Sequence, residues 1–462
     1  MVRVFNHWLS PRKAAFFVAE ETVLVLALLA GAALGPVAAP HPVDARPDVA
    51  PAVLRATLAA MAFAGSLYFG DLYDLHVAAR DRAEGRRLLR ALGAAVAALA
   101  AAYIVLPHLV PMGWLPRGSL TLAAAGGALA VIAVRAAMPA VLGAPIRILL
   151  LGAGDRARRL ARAIEEEGDQ LFEVVGFLAT GAGEGGASPL LFIGPLGPVV
   201  ARTRAQIVVV AVEDRRAGLP VDELLACRTR GVQVTNDVSF AEATLKRLPL
   251  ELVRPSALIF DEGFRVSRTR RAVKRALDLA AATALLVLAG PAMAATALAI
   301  WVCDGRPIFY SQERTGALGR GYRIWKFRTM RRDAEKMGAA WAADRDPRVL
   351  PIGRFLRRSR LDELPQLWNV LRGEMSLVGP RPERPIFLAE LKRHYPLFAM
   401  RELVKPGLTG WAQLRYGYGA SVAEMGRKLE YDLYYIKNCS LFLDLVCLFH
   451  TAKTVLSGRG AR

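Results

Sequence analysis

Two acidic residues stand side by side in Leu361-Asp362-Glu363-Leu364-Pro365-Gln366, directly after the arginine-rich run Arg354-Phe355-Leu356-Arg357-Arg358-Ser359-Arg360. Such a pair can hold one Mg²⁺, or one acid can attack phosphorus while the other handles metal or proton. Pro365 disfavours helix before it and is accepted in a first turn. The spacing therefore predicts a helix starting at Asp362, with both acids at its positive end. An N-cap with surface ion pairs fits the same residues, and spacing does not separate the two readings. Cations lie nearby in sequence. Lys326-Phe327-Arg328-Thr329-Met330 is one group, and Gly379-Pro380-Arg381-Pro382 is a stiff turn that can aim a guanidinium at phosphate or carry a solvated arginine. Lys405-Pro406-Gly407-Leu408-Thr409-Gly410-Trp411-Ala412-Gln413 is another stiff turn. The stretch from Glu430-Tyr431-Asp432 to Leu448 reads as packing or membrane contact, with Asp432 set apart.

The elements that must carry these residues sit in an unusual chain. Its 462 residues exceed one compact core, 54% are hydrophobic and only 22% are charged. That composition excludes a disordered polymer and argues against an ordinary soluble enzyme. Of the net +20 charge, +18 falls in residues 265–462. A basic domain on an apolar protein suits nucleic acid, anionic lipid or a phosphorylated substrate. The four cysteines are scattered and the six histidines isolated, so neither a disulfide framework, a zinc site nor histidine catalysis is indicated.

Residues 1–144 read as a four-span membrane bundle, with apolar stretches near 14–35, 51–70, 88–111 and 118–142. Glu20 and Glu21 inside them are expected to lie between helices or near an interface, and Arg55 and Arg135 to snorkel or to face the bundle. Arg3, Arg12 and Lys13, then Arg80, Arg82, Arg86, Arg87 and Arg90, put both ends of the bundle on the cytosolic side. Residues 145–265 alternate short β-rich and helical runs, a Rossmann-like α/β pattern with a mostly parallel sheet. Gly152-Ala153-Gly154-Asp155-Arg156-Ala157 is a G-x-G-x-x-A turn that can cradle a pyrophosphate, but the next strand lacks the acid that would take the ribose. A structural or regulatory module is favoured over a working NAD site. Residues 266–462 form the third domain. It opens with a fifth apolar stretch, about 273–303, basic on both flanks and interrupted by Gly290-Pro291. Pro291 predicts a helical hairpin that enters the membrane and returns, a proline-kinked fifth span being the other reading.

From Lys274 to the C-terminus the sequence resembles the bacterial polyprenyl-phosphate glycosyl-1-phosphate transferases. The matching motifs are Lys274-Arg275 with Asp278, the proline-broken apolar stretch, Lys326–Met330, Leu361–Gln366, Gly379–Pro382 and Pro406–Gln413. The whole layout resembles the large members, and Arg415–Ser421 the subgroup tied to exosortase-linked exopolysaccharide loci. The resemblance implies a monotopic catalytic domain with a re-entrant membrane helix, in the bacterial inner membrane with its active site on the cytosolic face. It implies transfer of sugar-1-phosphate from a UDP-sugar to undecaprenyl phosphate, with release of UMP, as the initiating step of exopolysaccharide or O-antigen synthesis. In that reading Asp362 is the nucleophile and Glu363 its partner, the two hold Mg²⁺, and Lys326, Arg328, Arg357 and Arg381 meet phosphate. Gln413 and Asp432 become candidate substrate contacts, and a homodimer is allowed. Departures are Gly290-Pro291 for the usual Ser-Pro, Lys405 for the usual arginine, and no Asn-Gly-Arg after Gln413.

Two readings compete. A membrane-anchored NAD-dependent nucleotide-sugar enzyme would need a strand-end acid and a Tyr-x-x-x-Lys pair, yet residues 145–265 hold no tyrosine. A non-catalytic assembly scaffold would tolerate loss of Asp362. Nucleic-acid binding is not expected, since the charge abuts apolar segments and no known module is present.

Overall fold

The computed structural model describes residues 1–4, 7–34, 49–73, 84–109, 117–137, 143–167, 171–180, 190–213, 219–253, 263–264, 267–332, 334, 347–417 and 421–457. The expected basic loop around Arg80 and Arg82 and part of the Arg415–Ser421 spelling lie outside them. The fold is mixed α/β with a parallel sheet, in two compact units: Met1–Val2 with Leu9–Asp237, and Arg3–Trp8 with Val238–Arg462.

The first unit begins with four helices, α1 (Pro11–Leu34), α2 (Val49–Phe69), α3 (Glu84–Leu109) and α4 (Arg117–Ala136). Leu24, Leu28, Phe63, Leu67, Leu92, Ala95 and Val131 form their core. Charge is inside: buried Arg135 pairs with buried Glu20 at 3.0 Å and donates to the Leu72 carbonyl at 2.9 Å. Both residues thus face the bundle as expected, because an ion pair of this kind is sustained only when each charge has its partner.

A five-stranded parallel sheet follows, made of β1 (Ile146–Leu151), β2 (Phe172–Leu178), β3 (Leu191–Phe192), β4 (Ile207–Val210) and β5 (Gln233–Asn236) in the order β3-β2-β1-β4-β5. Consecutive apolar residues make β1 and β4 central strands: Ile148–Leu151 and Ile207–Val210 are buried on both faces. Helix α5 (Asp155–Glu167) leaves the end of β1 through the glycine turn. The expected mostly parallel α/β sheet is present, with β3 as an additional edge strand.

Besides Arg3–Trp8, the second unit runs from Val238, inside the stretch read as the end of the Rossmann-like module. Glu242 there receives bonds from Lys437 and Asn438, and Arg247 pairs with Glu430. Helix α6 (Arg268–Asp304), 37 residues long, is the one helix among those described that is long and apolar enough to cross a membrane. The two arms expected of a hairpin form a single helical run with Pro291 inside it. Next come an antiparallel hairpin, β6 (Phe309–Thr315) and β7 (Gly321–Phe327), then α7 (Pro351–Arg358) and α8 (Gln366–Arg372). Strands β8 (Ser376–Val378) and β9 (Gly407–Thr409) pair in parallel, and α9 (Val422–Asn438) and α10 (Leu441–Leu456) close the unit.

Candidate active site

Asp362 and Glu363 lie in a 3₁₀ turn, Leu361–Glu363, and not in the first turn of an α-helix. Helix α8 begins only at Gln366, with Pro365 as its N-cap. Proline lacks the N–H that a continuous helix from Asp362 would need there, so the chain turns tightly and restarts. The helix dipole is therefore not what neutralises these acids. Side-chain cations do so instead. Lys326 Nζ, from β7, and Arg381 Nη2 both donate to Glu363 Oε1 at 2.9 Å, and Arg360 Nη1 stands 4.0 Å from it.

The two acids, both buried, differ sharply. These three cations hold the Glu363 carboxyl well below the usual carboxylate range despite its burial. Asp362 has one oxygen, Oδ1, buried and without a hydrogen-bond partner. Burial, and then the neighbouring Glu363 charge, push its carboxyl up to about 6, against the pull of Lys326, Arg357 and Arg360. One acid is thus neutralised by structure and the other is left bare. A buried, unpaired carboxylate is costly, and such arrangements concentrate where chemistry is done.

Local folding explains how each cation arrives. Buried Asn369 on α8 accepts the Trp325 N–H and donates to the Arg323 carbonyl and to Glu374, fastening the Lys326 strand against the helix after the acids. Arg357 donates to Thr329 Oγ1 at 3.0 Å. Helix α7 can approach that segment because residue 353 is glycine; a Cβ there would lie 2.2 Å from the Thr329 carbonyl. Arg360 adopts φ +59°, a conformation uncommon for a side-chain-bearing residue, and so turns α7 into the acidic 3₁₀ turn. The Gly379-Pro380-Arg381 turn emerges from β8. A Cβ on Gly379 would meet the Lys405 carbonyl at 2.4 Å. Gly379→Ala should therefore cost about 1–3 kcal/mol through forced backbone separation, read as a lower Tm together with lower activity.

Three expected site residues sit elsewhere. Arg328 lies beyond the end of β7, where its guanidinium pairs with Asp304 at 2.6 Å and donates to the Asp304 and Gly305 carbonyls. It holds the C-terminal end of α6, which is a favourable place for a cation. Asp432 on α9 is 2% exposed and pairs with Arg401 at 2.9 Å. Gln413 donates weakly to the Leu408 carbonyl at 3.4 Å, and no described bond joins it to the acids. Sequence reading missed Arg360 and Arg401. An arginine forced to positive φ and a pair formed across 31 positions leave no local signal.

The Rossmann-like turn has a different arrangement. Gly152 has φ +114°, and a Cβ on it would strike the Ala211 carbonyl at 2.7 Å, so β1 and β4 close tightly under the turn. At the start of α5 the Arg156 N–H donates to Glu213 Oε1 at 2.8 Å. A carboxylate of the chain itself thus occupies a position at the helix terminus where a cofactor phosphate would lie.

Buried acids ringed by lysine and arginine stand in the same unit as a long, largely exposed apolar helix, an arrangement suited to phosphate chemistry at a membrane. Residues 269–458 match the model of the bacterial sugar transferase family. The N-acetylgalactosaminephosphotransferase of Aeromonas hydrophila acting on UDP-N-acetylgalactosamine and undecaprenyl phosphate is 45% identical over 190 residues, 41% of this chain and 45% of its own. The undecaprenyl-phosphate glucose phosphotransferase of Komagataeibacter xylinus is 34% identical over 326 residues, 68% of this chain and 60% of its own. The undecaprenyl-phosphate galactose phosphotransferase of Salmonella typhimurium is 30% identical over 340 residues, 68% of this chain and 69% of its own. The chain belongs to the bacterial sugar transferase family. It spans about half the length of the first of these relatives.

Proposed function

We infer that the protein transfers a sugar-1-phosphate from a UDP-sugar to undecaprenyl phosphate, the initiating step of a bacterial exopolysaccharide or O-antigen. The observation that carries this reading is the bare Asp362 oxygen beside a Glu363 already neutralised by Lys326 and Arg381. Asp362 attacks the sugar-bearing phosphorus. A carboxylate–phosphorus bond forms, the phosphoanhydride bond breaks, and UMP leaves with the electron pair. The lipid phosphate then attacks the same phosphorus and expels Asp362, giving the lipid diphosphosugar. Lys326, Arg357, Arg360 and Arg381 stabilise the equatorial and leaving oxygens, where preorganised charge contributes most.

The residues also suit Mg²⁺. Asp362 Oδ1 has no partner, and both close cations fall on one oxygen of Glu363, Oε1. One or two carboxylates plus substrate phosphates are the usual ligands of this ion. Asp362 and Glu363 would hold it, and it would neutralise charge developing on the diphosphate.

Membrane embedding follows from the acceptor, whose polyprenyl tail stays in the bilayer. The four-helix bundle supports spanning: Val18, Leu26, Leu58, Met61, Leu89, Ile104 and Leu129 are exposed while the Glu20–Arg135 pair is inside. For α6 we favour entry and return. Its first part is held by Arg275 donating to the Val370 and Leu371 carbonyls and by Asp278 accepting the Leu377 N–H. Its last part is held by the Arg328–Asp304 pair and by Ile300 against Phe327 and Leu356. Between these anchors Leu285, Val287 and Leu288 are exposed. A straight helix of this length would reach about 55 Å, whereas both ends are fastened to one unit. In this reading the catalytic unit lies on the cytosolic face of the inner membrane. A reporter fused after Arg462 should read cytosolic; a periplasmic signal would make α6 a full span.

The test is UMP release by purified protein in nanodiscs with Mg²⁺ and undecaprenyl phosphate, with UDP-glucose, UDP-galactose and their N-acetyl forms offered separately. Release from one donor, lost in Asp362→Asn, identifies reaction and sugar together. Folded protein that neither releases UMP nor binds any nucleotide sugar would favour the scaffold.

A further inference from the structure

Arg381 reaches Glu363 from a short loop, and a loop alone fixes a guanidinium poorly. The structure shows what holds it. Arg401 Nη2 donates to the Arg381 carbonyl at 2.7 Å, and Arg314 Nη1 donates to the next carbonyl, Pro382, at 3.1 Å. Arg401 is itself clamped. Its Nε lies 2.9 Å from Asp432 Oδ2, its Nη2 lies 3.8 Å from Glu383, and its guanidinium stands over the Phe398 ring at 4.6 Å. Asp432 is 2% exposed beneath it, on α9. A carboxylate so enclosed is out of reach of a substrate arriving at Glu363, yet it stands two contacts from the guanidinium that would meet that substrate.

We propose that Asp432 is a positioning residue: through Arg401 it fixes the backbone of Arg381, and it does not touch the substrate. The geometry is a relay of fixed contacts from α9 to the acids, Asp432 to Arg401, Arg401 to the Arg381 carbonyl, and Arg381 to Glu363. Placing a charge-stabilising group to within about 1 Å is worth up to roughly 10²-fold in rate. This inference rests on the transferase reading, so wild-type UMP release is its precondition. Failure of that release would count against the reading and not against the relay alone.

The experiment is a double-mutant cycle on UMP release with full-length protein in nanodiscs. Asp432→Asn should lower turnover about 10–100-fold, with the same division between kcat and KM for the UDP-sugar as Arg381→Lys. In an Arg381→Ala background it should cost less than about twofold more, since contacts that act in series do not add. Removing Asp432 alone leaves buried Arg401 without its nearer carboxylate, so a second variant, Arg401→Gln with Asp432→Asn, removes both charges. With its Tm retained, that variant should still show the Asp432→Asn loss. A selective rise in KM on Asp432→Asn, or a full additional loss in the Arg381→Ala background, would show direct substrate contact and overturn the proposal. So would wild-type turnover in the neutral pair.

Discussion

Asp362→Asn should lose at least about 10⁴-fold in UMP release, the scale on which removal of a covalent nucleophile is felt, while its Tm stays equal to or rises above that of the wild type. The two effects have one cause. Asp362 is buried with Oδ1 unpartnered, and burial and Glu363 move its carboxyl from 3.8 to about 6. Between those values the folded chain binds more protons than the unfolded one, so the ionised acid weakens the fold as pH rises through this window. Asparagine removes that cost. In protein without added Mg²⁺, the Tm advantage of the variant should therefore grow from pH 4 to pH 6 and then level off. A stabilised, inactive variant is the signature of a group kept for chemistry at the expense of stability. A destabilised one would mean that Asp362 is a structural partner, and turnover retained within about tenfold would remove it as nucleophile.

Glu363→Gln should behave in the opposite way on stability. Glu363 is the shared acceptor of Lys326 and Arg381, and its side chain is 10% exposed. Removing one member of a buried charge cluster strands the others, a change that typically costs about 3–5 kcal/mol. The variant should lose several degrees of Tm, and about 10²–10³-fold in kcat as the two cations shift away from the phosphate. Thermal unfolding in detergent with and without a UDP-sugar checks both parts. An unchanged Tm would show that the cluster is not held through Glu363.

How much of this was legible in the sequence depended on range. The acids, Lys326 and Arg381 stand in compact motifs with stiff turns, and the structure brings all four together. Arg328 is grouped with Lys326 by the resemblance alone; β7 ends at Phe327, and Arg328 turns to the end of α6 instead. The helix expected at Asp362 starts at Gln366, because a 3₁₀ turn satisfies the backbone before Pro365 without its missing N–H. The Rossmann-like strands were plain from their apolar runs. Glu213 at the start of α5 was not, because it arrives from the far side of β4, 57 positions beyond Arg156. Long-range pairs such as Arg401 with Asp432 arise only when separate elements pack.

The central claim is that Asp362 carries the phosphosugar. The most direct measurement is a single turnover with a UDP-sugar and Mg²⁺ but no lipid acceptor, followed by mass spectrometry of the peptide holding residue 362. The account predicts about one UMP per active site, as a covalent intermediate requires, and a sugar-phosphate adduct on Asp362 that undecaprenyl phosphate discharges. UMP released only when the acceptor is present, with no adduct, would mean direct transfer between substrates. An adduct on any other residue would contradict the site as assigned.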